Sequence, residues 1–365
     1  MVFDKLGNRS TLHIDRFKPP SDPECPGDFA DSAKIKEPLS NKLPLGMHLP
    51  KFLFASAFFM STLTGYSQST PFRTDTASVS VYGGKLFGTM FIPDRIDPPV
   101  VLIIAGSGAT DRNGNTAGLP GKNNSLLQLA DSLARHGIAS LRYDKRGIGE
   151  SQRSLQREES LVFEQNSGDA RVWLQWLYEK GYRRIYVAGH SEGSMVALQA
   201  AQTFPLSGII SLAGAGRPIQ EVLREQLSSL PDPIKSNAFT CLDTLSLGKR
   251  VKEPPIALFS LFRPAIQDYL ISWMKLDPAK LIQTINCPAL IVQGEQDIQV
   301  QVSDAKRLQE ANPSNQLLII PQMNHILKRM PDASRATNIA SYTDPNQYVM
   351  TELIQAMHRF IRPLN

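Results

Sequence analysis

Between Arg184 and Ala201 the chain reads Arg-Ile-Tyr-Val-Ala-Gly-His-Ser-Glu-Gly-Ser-Met-Val-Ala-Leu-Gln-Ala-Ala. Ile185 to Ala188 is a short apolar run with the character of a strand. Gly189-His-Ser-Glu-Gly193 then turns the chain, and a run of small and apolar residues continues with helical character. A G-x-S-x-G segment between a strand and a helix constrains the fold strongly. Ser191 is expected on a strained turn with its hydroxyl projecting. Gly189 and Gly193 keep side chains out where strand and helix nearly collide. The helix behind Ser191 offers unpaired N–H groups and a positive dipole end, which suit an oxyanion. An ordinary tight turn with a helix-capping serine is the plainer alternative.

Strand and helix signals alternate on both sides of this elbow. Ala77 to Ile92 reads as a β-hairpin turning at Gly83-Gly84. Pro99 to Ala105 is a continuous apolar run, typical of a strand covered on both faces. It ends in the polar, glycine-rich loop Gly106-Ser-Gly-Ala-Thr-Asp-Arg-Asn-Gly-Asn115. Ser125 to His136 has helical spacing, closed by Gly137. Ile138 to Tyr143 is a strand, and Phe163 to Lys180 is a helix whose Val172, Trp173, Trp176 and Leu177 form an apolar core stripe. Ser207 to Ala213 is the strand after the elbow helix. Residues 217–284 change character: short amphipathic segments punctuated by Pro231, Pro233, Pro254, Pro255, Pro264 and Pro278, with no credible strand, read as a helical insertion. Alternation resumes with Ala289–Gln293, Val302–Ala311, Gln316–Ile320 and Tyr348–Ile361. This predicts an α/β fold with a mostly parallel central sheet, helices on both faces and a helical cap. Ligands of such sheets bind beyond the carboxyl ends of the strands, where Ser191 is placed.

A serine nucleophile needs a base, and the base needs a carboxylate to orient it. Gly294-Glu-Gln-Asp297 follows one late strand and Pro321-Gln-Met-Asn-His325 follows the next. The order Ser191, Asp297, His325 is the one an elbow nucleophile requires. Glu295 is the local rival to Asp297. His136, His358 and His190 sit on elements or at the variable elbow position, and His13 and His48 lie far upstream. The oxyanion hole is assigned to the backbone N–H groups of Ser107 and Glu192. Gly106-Ser-Gly108 also opens like a dinucleotide fingerprint, but Asp111 stands where its third glycine would be needed. Asp144 and Arg146 are read as pins for a loop near the site.

Ahead of this domain lies a different kind of sequence. Lys51, the apolar stretch from Phe52 to Leu63, and the small residues Gly65 and Ser67 have the order of a secretory signal over residues 47–67. The stretch is short for a membrane span. Residues 1–46 are polar and proline-rich, without apolar periodicity, and are expected to be disordered. Because a signal begins at the amino terminus, Met47 is the expected start and 1–46 upstream sequence. The mature protein would be residues 68–365, exported to the periplasm or medium. Cys241 and Cys287 could pair there, and Cys287 is otherwise read as a small core residue. A net charge of +5 without basic runs argues against nucleic acid, and no cysteine or histidine cluster suggests a metal.

These motifs carry a resemblance. Gly106 to Gly114, Asp144-Lys-Arg-Gly-Ile-Gly-Glu-Ser151, Gly189 to Gly193, Gly294 to Asp297 and Asn324-His325 resemble the α/β-hydrolase superfamily. More narrowly they are similar to EstD-type esterases and serine-aminopeptidase-like hydrolases. The resemblance spans residues 77–361; Ala109 departs from it, where proline is expected. It implies a carboxylic ester hydrolase acting on a small-molecule ester, with a cap over about 217–284 and no metal or cofactor. A peptidase or acyltransferase with the same triad is the alternative. A peptidase that binds amino termini should carry carboxylates in the cap, where Glu221, Glu225 and Asp232 are available. A non-catalytic binding module is the reading from another class.

Overall fold

The computed structural model describes residues 71–332 and 334–362. The disorder expected of residues 1–46 and the signal expected at 47–67 lie outside the described residues.

The strands are β1 (Phe72–Val81), β2 (Gly84–Pro93), β3 (Val100–Ile104), β4 (Ala139–Tyr143), β5 (Ile185–His190), β6 (Gly208–Leu212), β7 (Ala289–Gly294) and β8 (Gln316–Ile320). They form a single eight-stranded sheet in the order β1-β2-β4-β3-β5-β6-β7-β8. The hairpin β1–β2 is antiparallel, and β2 meets β4 antiparallel. From β4 to β8 every pairing is parallel. The parallel strands at the centre are buried on both faces, which is why their sequences run apolar without alternation. The edge strand β1 faces solvent on one side and buries only Ala77 and Val79.

The helices are α1 (Ser125–Arg135), α2 (Phe163–Glu179), α3 (Glu192–Ala201), α4 (Ile219–Leu227), α5 (Ile234–Ser246), α6 (Phe259–Phe262), α7 (Gln267–Met274), α8 (Pro278–Gln283), α9 (Val302–Ala311), α10 (Arg335–Ala340) and α11 (Thr351–Ile361). One face of the sheet packs against α1 and α11. Val101, Ile103, Ala188, Ile210 and Val292 meet Leu126, Leu129, Leu353 and Met357 there. The alternate strand residues, such as Val100, Leu102 and Val187, are equally buried on the opposite face, where α2, α3, α8 and α9 lie.

The insertion after β6 is helical as expected, and no strand forms between β6 and β7 among the described residues. It is shorter than the sequence suggested. Helices α4 to α7 make the cap, whereas α8 packs on α3 and α9 and belongs to the sheet layer. Its tie is specific: the Gln202 side chain donates to the Leu281 carbonyl at 3.0 Å. The cap is held to the start of α2. The Phe163 N–H donates to Ser272 Oγ at 2.9 Å, and the Trp273 ring stacks on Phe163 with centroids 5.1 Å apart.

Smaller corrections have local causes. The last helix starts at Thr351, not Tyr348, because Val349 pairs with Lys328 and the Met350 N–H donates to the Leu327 carbonyl. Trp173 is fully buried, but Trp176 is only half-buried, with Lys180 Nζ 5.2 Å from its ring centroid. Cys241 and Cys287 are unpaired; Cys287 is half-buried ahead of β7 instead of in the core.

Candidate active site

The elbow forms between β5 and α3. Ser191 has φ 55° and ψ −117°, a positive-φ conformation that a non-glycine residue holds only under constraint from its surroundings. The constraint is visible on both sides. The Ser191 N–H donates to the Leu212 carbonyl of β6 at 2.8 Å. A Cβ on Gly189 would stand 2.1 Å from the Gly193 carbonyl oxygen, and one on Gly193 2.4 Å from that of Ile104. Any side chain at either position would push the elbow apart.

Asp297 follows β7 and its carboxylate is fully engaged. Oδ1 accepts from the Gln299 and Val300 amides at 2.7 and 3.0 Å. Oδ2 accepts from Gln293 Nε2 and from His325 Nδ1, both at 2.8 Å. Burial pushes this carboxyl up, but the facing His325 and the two amides outweigh it and hold the group below its ordinary value. An ionised carboxylate can only accept, so His325 carries its proton on Nδ1 and leaves Nε2 as the basic nitrogen.

His325 is set by its own loop. The buried Asn324 accepts from the Lys328 N–H at 2.9 Å and donates to Ser341 Oγ at 2.8 Å. Lys328 in turn donates to the Asn123 and Asp344 carbonyls, at 2.6 Å each. His190, the neighbour of Ser191, reaches across: its Nε2 donates to the His325 carbonyl at 2.7 Å, with ring centroids 4.9 Å apart. Burial, reinforced by His325, lowers the His190 pKa to about 4. Among the described residues Ser191 makes no side-chain hydrogen bond to His325. Such contacts are often long before substrate binds. His136, just after α1, and His358, on α11, meet each other in a tilted ring contact with centroids 5.6 Å apart.

The loop after β3 lies against the elbow: a Cβ on Gly106 would sit 3.3 Å from Ser191 Cβ and 3.2 Å from His190 Nδ1. Ser107, Ser191 and Glu192 line one cavity of about 440 Å³, within the range of small-molecule sites. Its remaining wall is chiefly apolar, with Leu155, Leu161, Met195, Val222, Leu270 and Trp273. Its charges are matched. Arg217 pairs with Asp304 at 2.7 Å, Arg263 with Glu158 at 2.5 Å, and Lys145 with Glu192 at 3.2 Å. Glu221, Glu225 and Asp232 are exposed and are not part of the cavity wall. Asp144 binds the Arg112 and Glu150 backbone and the Arg112 side chain, and Arg146 binds Asp169, as suits loop pins.

Sequence reasoning passed over Lys145, Gln293 and the second role of His190. Lys145 lies between the two loop pins, at the carboxyl end of β4, and that position is the available signal. Gln293 gave none beyond being a polar residue in an apolar strand.

Comparison with known proteins agrees with this architecture. Residues 117–254 match the family described as serine aminopeptidase, S33; that stretch holds the elbow but stops short of Asp297 and His325. The esterase EstD of Thermotoga maritima is 29% identical over 248 residues, 66% of this chain and 57% of EstD's own length. The solved esterase Pf2001 of Pyrococcus furiosus superposes with a TM-score of 0.52 at 16% identity, over 82% of this chain and 98% of that one. At that identity the superposition speaks to the fold alone. The sheet and the elbow have the architecture of the α/β-hydrolase fold, and the chain is similar in sequence to the esterase EstD and, over residues 117–254, to the serine aminopeptidase family.

Proposed function

We propose that the protein is an exported serine hydrolase that cleaves carboxylic esters through an acyl-enzyme. The observation that carries this reading is the buried Asp297–His325 contact, tied through His190 to the elbow, together with the positive-φ Ser191 on the wall of a chiefly apolar cavity with matched charges. Ser191 attacks the ester carbonyl while His325 Nε2 takes its proton. The Ser107 and Glu192 amides receive the oxyanion; losing one such donor typically costs about 10²–10³ in turnover. His325 returns the proton to the leaving alcohol, then activates the water that releases the acid. Asp297 keeps the imidazole in the required tautomer. The name of EstD as an esterase supports the ester preference.

The serine aminopeptidase match favours a second reading, a peptidase. An amino terminus needs an unpaired carboxylate, yet both acids on the cavity wall, Glu158 and Glu192, already face a cation. An acyltransferase would share every step up to the acyl-enzyme. A binding module would have no use for an ionised aspartate oriented on a histidine.

Assaying p-nitrophenyl esters of increasing acyl length beside aminoacyl anilides, with protein beginning at Gln68, separates these readings. Ester turnover in preference to anilides is expected; anilide turnover alone would favour the peptidase. Export rests on the composition of residues 47–67. Sequencing the amino terminus of the mature protein tests it, and a terminus that retains that segment would overturn it.

A further inference from the structure

We propose that Lys145 is a positioning residue for the oxyanion hole, its one ammonium binding the carbonyl of one donor peptide unit and the side chain of the residue that supplies the other donor. The inference rests on the serine-hydrolase reading above. Lys145 is buried at the carboxyl end of β4 and belongs to the cavity wall. Its Nζ donates to the Gly106 carbonyl and, at 3.2 Å, to Glu192 Oε1. Glu192 is buried as well.

The Gly106 carbonyl and the Ser107 N–H belong to the same planar, trans peptide unit and point in opposite directions. Fixing the carbonyl oxygen therefore fixes the direction of the N–H. A cation on that oxygen also polarises the amide, and in a site of low dielectric this strengthens the N–H as a donor. The second donor is the backbone N–H of Glu192, and the side chain of that residue is the other partner of Lys145. One buried ion pair thus ties together the loop after β3, the end of β4 and the first residue of α3. Taking both charges out of water costs several kcal/mol per ion. Apolar residues could join these segments without that cost, but they could not orient a peptide dipole.

Lys145→Met removes the charge and the donor while keeping the side chain's length. The measurements are kcat and KM for p-nitrophenyl butyrate and the inhibition constant of an alkyl boronic acid, which binds serine as a tetrahedral adduct. Lys145 orients donors without being one, so kcat should fall about 10- to 100-fold, below the loss expected for a deleted donor. KM should stay within about threefold, and the boronate should weaken by the same factor as kcat/KM. Lys145→Arg should recover part of the loss, as an intact cation. A merely structural lysine would lower thermal stability without this parallel between boronate affinity and kcat/KM. Should Lys145→Met fail to fold, Glu192→Gln carries the test, with the same parallel at about 3- to 10-fold.

A folded Lys145→Met with kcat/KM within about threefold of the parent would overturn the proposal. So would a loss confined to KM with boronate affinity unchanged, which would make Lys145 a substrate contact. Failure of the underlying reading looks different: the parent protein itself would neither hydrolyse esters nor bind the boronate, and both proposals would fall.

Discussion

His190 and Asp169 are both buried, and burial moves their titrations in opposite directions. Burial first, then the neighbouring His325, takes His190 from an ordinary 6.5 to about 4. Between those values the unfolded chain binds a proton that the native state refuses, so His190 lowers stability as pH falls from 6.5 to 4. Burial raises Asp169 from 3.8 to about 6, against the pull of Arg146 at 2.7 Å. There the native state binds its proton first, so Asp169 raises stability as pH falls from 6 to 3.8. Each shift amounts to about 3 kcal/mol at 1.36 kcal/mol per unit, so the two largely offset across the same window. Single variants should uncover each one. Between pH 7 and 4.5, urea midpoints should shift toward greater acid stability in His190→Gln than in the parent, and toward less in Asp169→Asn. Identical pH dependence in all three proteins would refute both assignments. Legibility at this scale followed chemistry. Ser191, Asp297 and His325 could be picked out as candidates because an elbow nucleophile, its orienting carboxylate and its base follow a set order along the chain. Lys145 could not, because its partners come from distant parts of the chain, Gly106 after β3 and Glu192 on α3. Gln293 could not either: Asp297 is only four residues on, but a lone glutamine ending an apolar strand carries no chemical signature.

Among the elements, the cap shares a cavity with Ser191. Helix α7 presents Leu270 and Trp273 to the cavity, and Trp273 also stacks on Phe163 where the cap meets α2. Trp273→Ala should enlarge the cavity and move the preferred acyl chain to greater length. Truncating a buried tryptophan costs about 3–5 kcal/mol, so the melting temperature should fall as well. An unchanged chain-length profile in the folded variant would show that the acyl group lies elsewhere. Periodicity located the long elements well: α9 and β8 have the limits read from the sequence, and α1 ends one residue early. It failed where contacts, not pattern, decide. Helix α8 has a clear start, with Asp277 accepting from the Ala279 N–H and Pro278 in the first turn. Nothing in its six residues says that it packs on α3 and α9 instead of joining the cap. Helix α10 escaped notice because Arg335–Ala340 is too short to show an apolar period.

At the scale of the molecule, a parallel sheet gathers residues from distant parts of the chain at one edge. Ser191, Asp297 and His325 follow β5, β7 and β8, while Gly106 and Lys145 follow β3 and β4. That convergence was legible, because alternating strands and helices dictate a parallel sheet whose carboxyl ends share one rim. The size of the cavity was not, since it depends on how α4 and α7 settle over that rim. On the proposed reading, this rim makes Ser191 a nucleophile. The most direct test is labelling by a fluorophosphonate, with the modified residue located by peptide mass mapping and Ser191→Ala run alongside. A single label per chain is expected, on Ser191, suppressed by an ester substrate and absent from the variant. A label on another residue, or none on folded parent protein, would contradict it.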